Sequence, residues 1–119
     1  MADNVNRYLE LILKCIPKGS TRARNLRDVA MMANVSERQT QEYIRQLRED
    51  GCPIVSMSSG GYFIPDENDP TDIAEAERYM SMMRGQAMER LQTVKAIEHW
   101  LEKNRKPVQM NMDAYIRKG

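Results

Sequence analysis

The sequence predicts a mostly helical α+β domain, three short helices and a two-stranded hairpin, followed by one long helix. Three features carry that expectation. A capped amphipathic segment runs from Ser36 to Glu49, two short β-rich runs follow it around a Gly-Gly tip, and an apolar stripe continues at helical spacing from Ile73 to Leu101.

Taken in order, Asp3 or Asn4 can cap a first helix whose residues Val5, Tyr8, Leu9, Ile12, Leu13 and Ile16 share one face, and Pro17-Lys18-Gly19-Ser20 stops it. A second helix reads from about Asn25 to Ala33, with Leu26, Val29, Ala30 and Ala33 inward, and Asn34-Val35 makes a short turn. Ser36 followed three residues later by Gln39 is a capping box that starts the third helix. Its inward stripe is Thr40, Tyr43, Ile44 and Leu47, led by Val35, and Gly51 closes its C-terminus in the left-handed conformation. Pro53 to Met57 and Gly61 to Ile64 then read as strands joined through Ser58-Ser59-Gly60-Gly61, which supplies the positive φ that a tight connection requires.

These elements make a domain of residues 1–64. A proline-bounded polar hinge follows at 65–70, then a long helix at 71–105 and a weakly patterned tail at 106–119 in which Tyr115 and Ile116 could dock on the long helix. With 119 residues, 41% of them hydrophobic, the chain has room for one compact domain and an appendage. No apolar run approaches the roughly 20 residues of a membrane span, and no charged segment precedes an apolar core at the N-terminus, so a soluble cytoplasmic protein is expected. Cys15 and Cys52 read as lone thiols in a reducing compartment rather than as a disulfide or zinc pair.

On a helical wheel Arg38, Glu42, Arg45 and Glu49 lie opposite the buried stripe of the third helix, flanked by Gln39, Gln41 and Gln46. Arg pairs with guanine, Gln with adenine, and Glu accepts from the cytosine amino group, so these side chains have the chemistry of base readout. The same face is also what a solvated helix presents, because Arg38 with Glu42 and Arg45 with Glu49 are spaced as opposite-charge pairs. Context favours the first reading. The net charge is only +1, yet Lys14, Lys18, Arg22, Arg24 and Arg27 follow one another with no acid between them.

A helix that passes into a hairpin is how winged helix-turn-helix domains set a reading helix beside a wing. The expected DNA contacts are therefore Ser36, Arg38, Gln39, Gln41, Glu42 and Arg45 on the helix, Arg22, Arg24 and Arg27 on phosphates, and Ser58 and Ser59 at the wing tip, which lacks a basic residue. The stretches Val35-Ser36-Glu37-Arg38-Gln39-Thr40, Ile44 to Ile54 and Ser59-Gly60-Gly61-Tyr62-Phe63-Ile64 resemble the winged-helix domains of the biotin-repressor type. They are similar also to the small winged-helix proteins of phages and mobile elements of Gram-positive bacteria, which carry a turn like Ile16-Pro17-Lys18-Gly19 and a helical C-terminal extension. The resemblance covers about the first half of the chain and implies double-stranded DNA binding in a regulatory or replication-associated role. Thr40 stands where a Val is usual.

At 1.5 Å per residue the long helix is on the order of 50 Å, more than a domain ending near Ile64 can cover. Ile73, Met80, Met83, Ala87, Leu91, Val94, Ile97 and Leu101 form its stripe, which either folds back on its own domain or pairs with a second copy, parallel or antiparallel. Its length favours a homodimer. Gly85 marks a close crossing or a bend, and Trp100 reads as an interface anchor. No catalytic reading survives: His99 stands alone, and no phosphate loop or metal-ligand spacing appears, so neither an enzyme nor a metal or other cofactor is expected. The leading expectation is a dimeric, sequence-specific DNA-binding protein. An adaptor that binds another protein through the wing domain or the Met-rich helix competes with it.

Overall fold

The computed structural model describes residues 2–105. The sequence-predicted tail and its Tyr115 and Ile116 lie outside the described residues. The elements are α1 (Ala2–Cys15), a single 3-10 turn (Ser20–Arg22), α2 (Leu26–Ala33), α3 (Glu37–Glu49), β1 (Val55–Met57), β2 (Gly61–Phe63) and α4 (Pro70–Asn104). This is the expected mostly helical α+β layout of a winged helix, three helices and a hairpin followed by a long helix. The chain divides into two compact units between Ser81 and Met82.

In the first unit α1, α2 and α3 enclose a core of Leu9, Ile12, Cys15, Ile16, Val29, Ala33, Ile44, Leu47 and Ile54. Tyr8 on α1 stacks on Tyr43 of α3 with ring centroids 5.7 Å apart. The helix α1 begins at Ala2, so Asp3 and Asn4 lie inside its first turn instead of ahead of it. Asn25 caps α2 by accepting from the Asp28 amide, and Asn34 ends that helix at φ 57, a left-handed position that Asn tolerates. Cys15 is buried and Cys52 half-buried, both as free thiols.

The hairpin pairs Val55 with Phe63, Ser56 with Tyr62 and Met57 with Gly61. The first strand is shorter than the sequence implies, since Pro53 has no N–H for a ladder and the Ile54 amide turns back to the Cys52 carbonyl. The other edge of β2 is also occupied. Arg24 and Tyr62 exchange both backbone hydrogen bonds, at 3.0 and 2.8 Å, and Gly19 and Pro17 bond to Ile64 on either side of Lys18. A Cβ at position 61 would sit 3.1 Å from the Ala23 Cβ, so glycine there is what lets the 23–24 segment approach β2.

Residues 65–70, read from the sequence as a polar hinge, form a bonded corner, and the first compact unit extends to Ser81. Asp69 accepts from the Thr71 amide, Pro70 occupies the first helical position, and Asp66 accepts from the Asn68 amide. The decisive residue is Asp72, which is fully buried. One carboxylate oxygen accepts from the Ser20 amide at 3.0 Å and the other from the Asp66 amide at 2.9 Å. The Ser20 hydroxyl, followed by the Asp66 amide, holds this carboxyl below the ordinary aspartate value against the opposing effect of burial.

From Met82 onward every described residue is exposed. α4 is unbroken through Gly85, and a Cβ added there meets nothing within 4 Å.

Because folding lowers the Asp72 pKa, its contribution is present at neutral pH and is lost as pH falls through the lowered folded-state value. Asp72→Asn is expected to cut the melting temperature by several degrees at pH 7 and to flatten the fall in stability below about pH 4, read by thermal unfolding across pH. Gly85→Ala is expected to raise the stability of α4 by about 1 kcal/mol, read as added helical ellipticity on heating.

Candidate nucleic-acid interface

The start of α3 is built as the sequence predicts. Ser36 Oγ accepts from the Gln39 amide at 3.0 Å, and Gln39 Oε1 accepts from the Ser36 amide at 3.2 Å. Both side chains are therefore engaged in the cap, which leaves the Gln39 side-chain amide N–H groups as its contribution to a partner. Thr40 is fully buried because its hydroxyl donates to the Ser36 carbonyl at 2.9 Å, so a polar residue takes the place of an aliphatic one without an orphaned group. Thr40, Ile44 and Leu47 face the core, and Arg38, Gln41, Glu42 and Arg45 are exposed along the opposite side.

Charge on that outer side is partly spent internally. Arg45 bonds both Glu42 and Glu49, whereas the spacing had paired Arg38 with Glu42. Hydrogen bonding from Arg45, then its charge, holds the Glu42 carboxyl below its ordinary value, and Glu42 in turn raises the Arg45 pKa. A base contact by Arg45 must first release these carboxylates. Among the described residues Arg38 has no ion-pair partner, and it acts on Glu42 only through its charge.

The cations of the basic cluster differ in what they bond, and Lys14, Lys18, Arg22 and Arg27 are exposed. The Arg24 guanidinium, expected on a phosphate, is half-buried and donates to the Cys15 carbonyl, since its backbone is held in the bridge to Tyr62. Lys18 pairs with Glu67 at 3.2 Å. Arg22 and Arg27 remain exposed. Arg27 lines one shallow cleft together with Asn25 at the start of α2 and with Ser56, Gly60 and Tyr62 of the hairpin. Ser58 and Ser59 are exposed at the tip, where the Gly60 amide donates to the Met57 carbonyl and Gly60 takes φ 87.

The residue that couples α3 to the hairpin was not singled out by the sequence. Arg48 Nε donates to the Ile54 carbonyl at 2.9 Å and one of its terminal nitrogens to Ser56 Oγ at 3.2 Å. Its guanidinium carbon also lies 5.0 Å from the Tyr79 ring centroid and 5.8 Å from that of Tyr62, both within cation–π range. From α4, Arg78 donates to the Ser56 carbonyl at 2.8 Å and to Glu75 at 3.1 Å. The one available signal was position: Arg48 follows Ile44 by one turn and borders the buried stripe.

Among the described residues, no group of three or more His, Cys, Asp and Glu side chains could hold a metal ion, and no helix is long and apolar enough to cross a membrane. No family model matches the chain, and neither does any curated protein or solved structure.

Arg48→Ala removes two hydrogen bonds and two ring contacts, and is expected to cost roughly 1–3 kcal/mol in denaturant unfolding. Arg48→Lys is expected to recover little of this, because an ammonium cannot both stack between rings and donate in a fork.

Proposed function

We propose that this protein binds double-stranded DNA sequence-specifically as a homodimer in the cytoplasm, as a transcription regulator or as a replication-associated protein of a phage or mobile element. The observation that carries the reading is the outer side of α3. A capped helix presents Arg38, Gln41, Glu42 and Arg45 to solvent directly after a three-residue turn from α2, with a hairpin bonded to its other end through Arg48. The first turns of such a helix are the part that enters a major groove, where Arg38 and Gln41 would meet base edges. Arg22 and Arg27 would take phosphates, and Ser58, Ser59 and the backbone of the tip would lie against the sugar-phosphate chain.

The homodimer rests on α4. Ile73, Met80, Met83, Ala87, Leu91, Val94, Ile97 and Leu101 are all exposed in the single chain, an apolar stripe that a second copy would cover. Two copies would present two reading helices to a pseudo-palindromic site.

A second reading, an adaptor for another protein, is favoured by the neutralised part of the same face and by Met31 and Met32, which are exposed on α2 at 69% and 54%. Its mark would be a protein partner held while duplex DNA is ignored.

Selection from random duplexes at low salt is expected to return one enriched motif, and failure to enrich any motif overturns the DNA reading. Arg38→Ala and Arg45→Ala are expected to broaden that motif. Replacing Arg22 and Arg27 by Ala is expected to weaken binding to all duplexes alike and to lower the salt slope by roughly 0.9 for each phosphate that is no longer neutralised.

A further inference from the structure

We propose that the second copy lies antiparallel on α4, in a register that sets the level of Gln92 on the twofold axis. This rests on the homodimer reading above and adds direction and register to it.

Within Met82–Asn104 the residues Met83, Ala87, Arg90, Val94, Ile97 and Leu101 alternate by four and three, an unbroken seam of the spacing that two supercoiled helices share. All six are exposed, and no other described residue buries them. Arg90 is the one polar member, and it decides the direction. In a parallel pair each seam residue faces its own copy at the same level, which sets Arg90 against Arg90 and, next to it, Ala87 against Ala87. The first layer brings like charges together and the second leaves a void.

An antiparallel pair centred on Gln92 removes both faults at once. Met83 then meets Leu101 of the second copy, Ala87 meets Ile97, and Arg90 meets Val94. Each layer joins a small or flexible side chain to a larger or branched one, and Arg90 can lay its methylenes along Val94 and Leu91 with its head in water. Sliding the pair by one heptad sets Glu98 beside Glu77 of the other copy in one direction and Arg84 beside Arg105 in the other, so like charges meet either way.

The flanking charges agree with the same register. Arg84 and Glu98 both flank the seam on its Leu91 side, and in this antiparallel register Arg84 of each copy lies beside Glu98 of the other, twice per dimer. In the parallel pair Glu98 lies beside the uncharged Thr93 instead. Gly85 falls on the side away from the seam, in keeping with the open space around it.

The test is oxidative cross-linking of an Ala87→Cys chain mixed with an Ile97→Cys chain, with peptide mapping of the linked products and light scattering of the unmodified full-length protein. The antiparallel register predicts 87-to-97 links in the mixture and none from either variant alone, because two copies of position 87 are then ~15 Å apart along the axis. Links from 87 to 87 in a dimer overturn the direction while leaving the homodimer standing. A full-length protein that stays monomeric across the concentration range overturns the homodimer and this inference with it. Charge reversal gives an independent readout. Arg84→Glu is expected to weaken the dimer roughly tenfold, and adding Glu98→Arg is expected to restore it. An unchanged dimer in Arg84→Glu, at unchanged helicity, overturns the register.

Discussion

A carboxylate shut away from solvent ties three separate segments of the first unit together. Asp72 lies in the first turn of α4, yet the two amides it accepts from belong to Ser20, in the turn after α1, and Asp66, in the corner after β2. The ordinary fate of a buried anion is neutralisation, because desolvation penalises the charged form. Here two backbone amides and a hydroxyl face it, so the charge is retained and each donor finds the partner its own burial demands. An Asn in its place would offer its oxygen to one of these amides and turn an NH2 toward the other. The strand-like segment that borders β2 and the start of α4 consequently have one relative placement in the first unit.

That placement carries through to α3. The hairpin is bonded on one edge by Arg24 and on its other strand by the Arg78 guanidinium, while Arg48 reaches from α3 to Ile54 and Ser56. A two-stranded ribbon alone in water is marginal, and this one is fastened on both sides. The outer face of α3 and the hairpin are thereby pre-set relative to each other, so ordering them adds little to the entropic cost of binding any surface that touches both.

Much of this layout was legible in the sequence where a rule is local. The capping box at Ser36, the end of α3 before Gly51 and the inward stripe of Thr40, Ile44 and Leu47 follow from spacing and propensity, which neighbours in the chain decide. What spacing does not encode is which polar residue is taken up by tertiary structure. Arg22, Arg24 and Arg27 look alike as letters, but Arg24 is drawn inward by a bridge of two backbone bonds that has no periodicity to reveal it. Asp72 reads as a first-turn acid favoured by the helix dipole, and that local reason would suffice on any surface helix. Arg48 and Tyr79 meet across a long stretch of chain through a contact that neither local segment announces. The polar run from Pro65 to Pro70 likewise has the composition of a linker, and only the convergence on Asp72 makes it a corner.

The charge inventory of the first unit bears on why two copies matter for the proposed function. Of the expected DNA-facing cations, Arg24 is committed inward and Arg45 is held between two carboxylates, which leaves Arg22, Arg27 and Arg38 exposed and without ion-pair partners among the described residues. Phosphate neutralisation supplies much of any protein's affinity for duplex DNA, so a single copy with so few disengaged cations would hold DNA weakly at physiological salt. Opening the Arg45 bridges to gain a base contact costs interactions already made, which weakens binding further but makes it depend on the base that replaces them. In the proposed dimer, joining two such units through α4 would convert the second contact into an intramolecular event at high effective concentration, and affinity would then come from pairing two weak, discriminating readers instead of from one strongly basic surface.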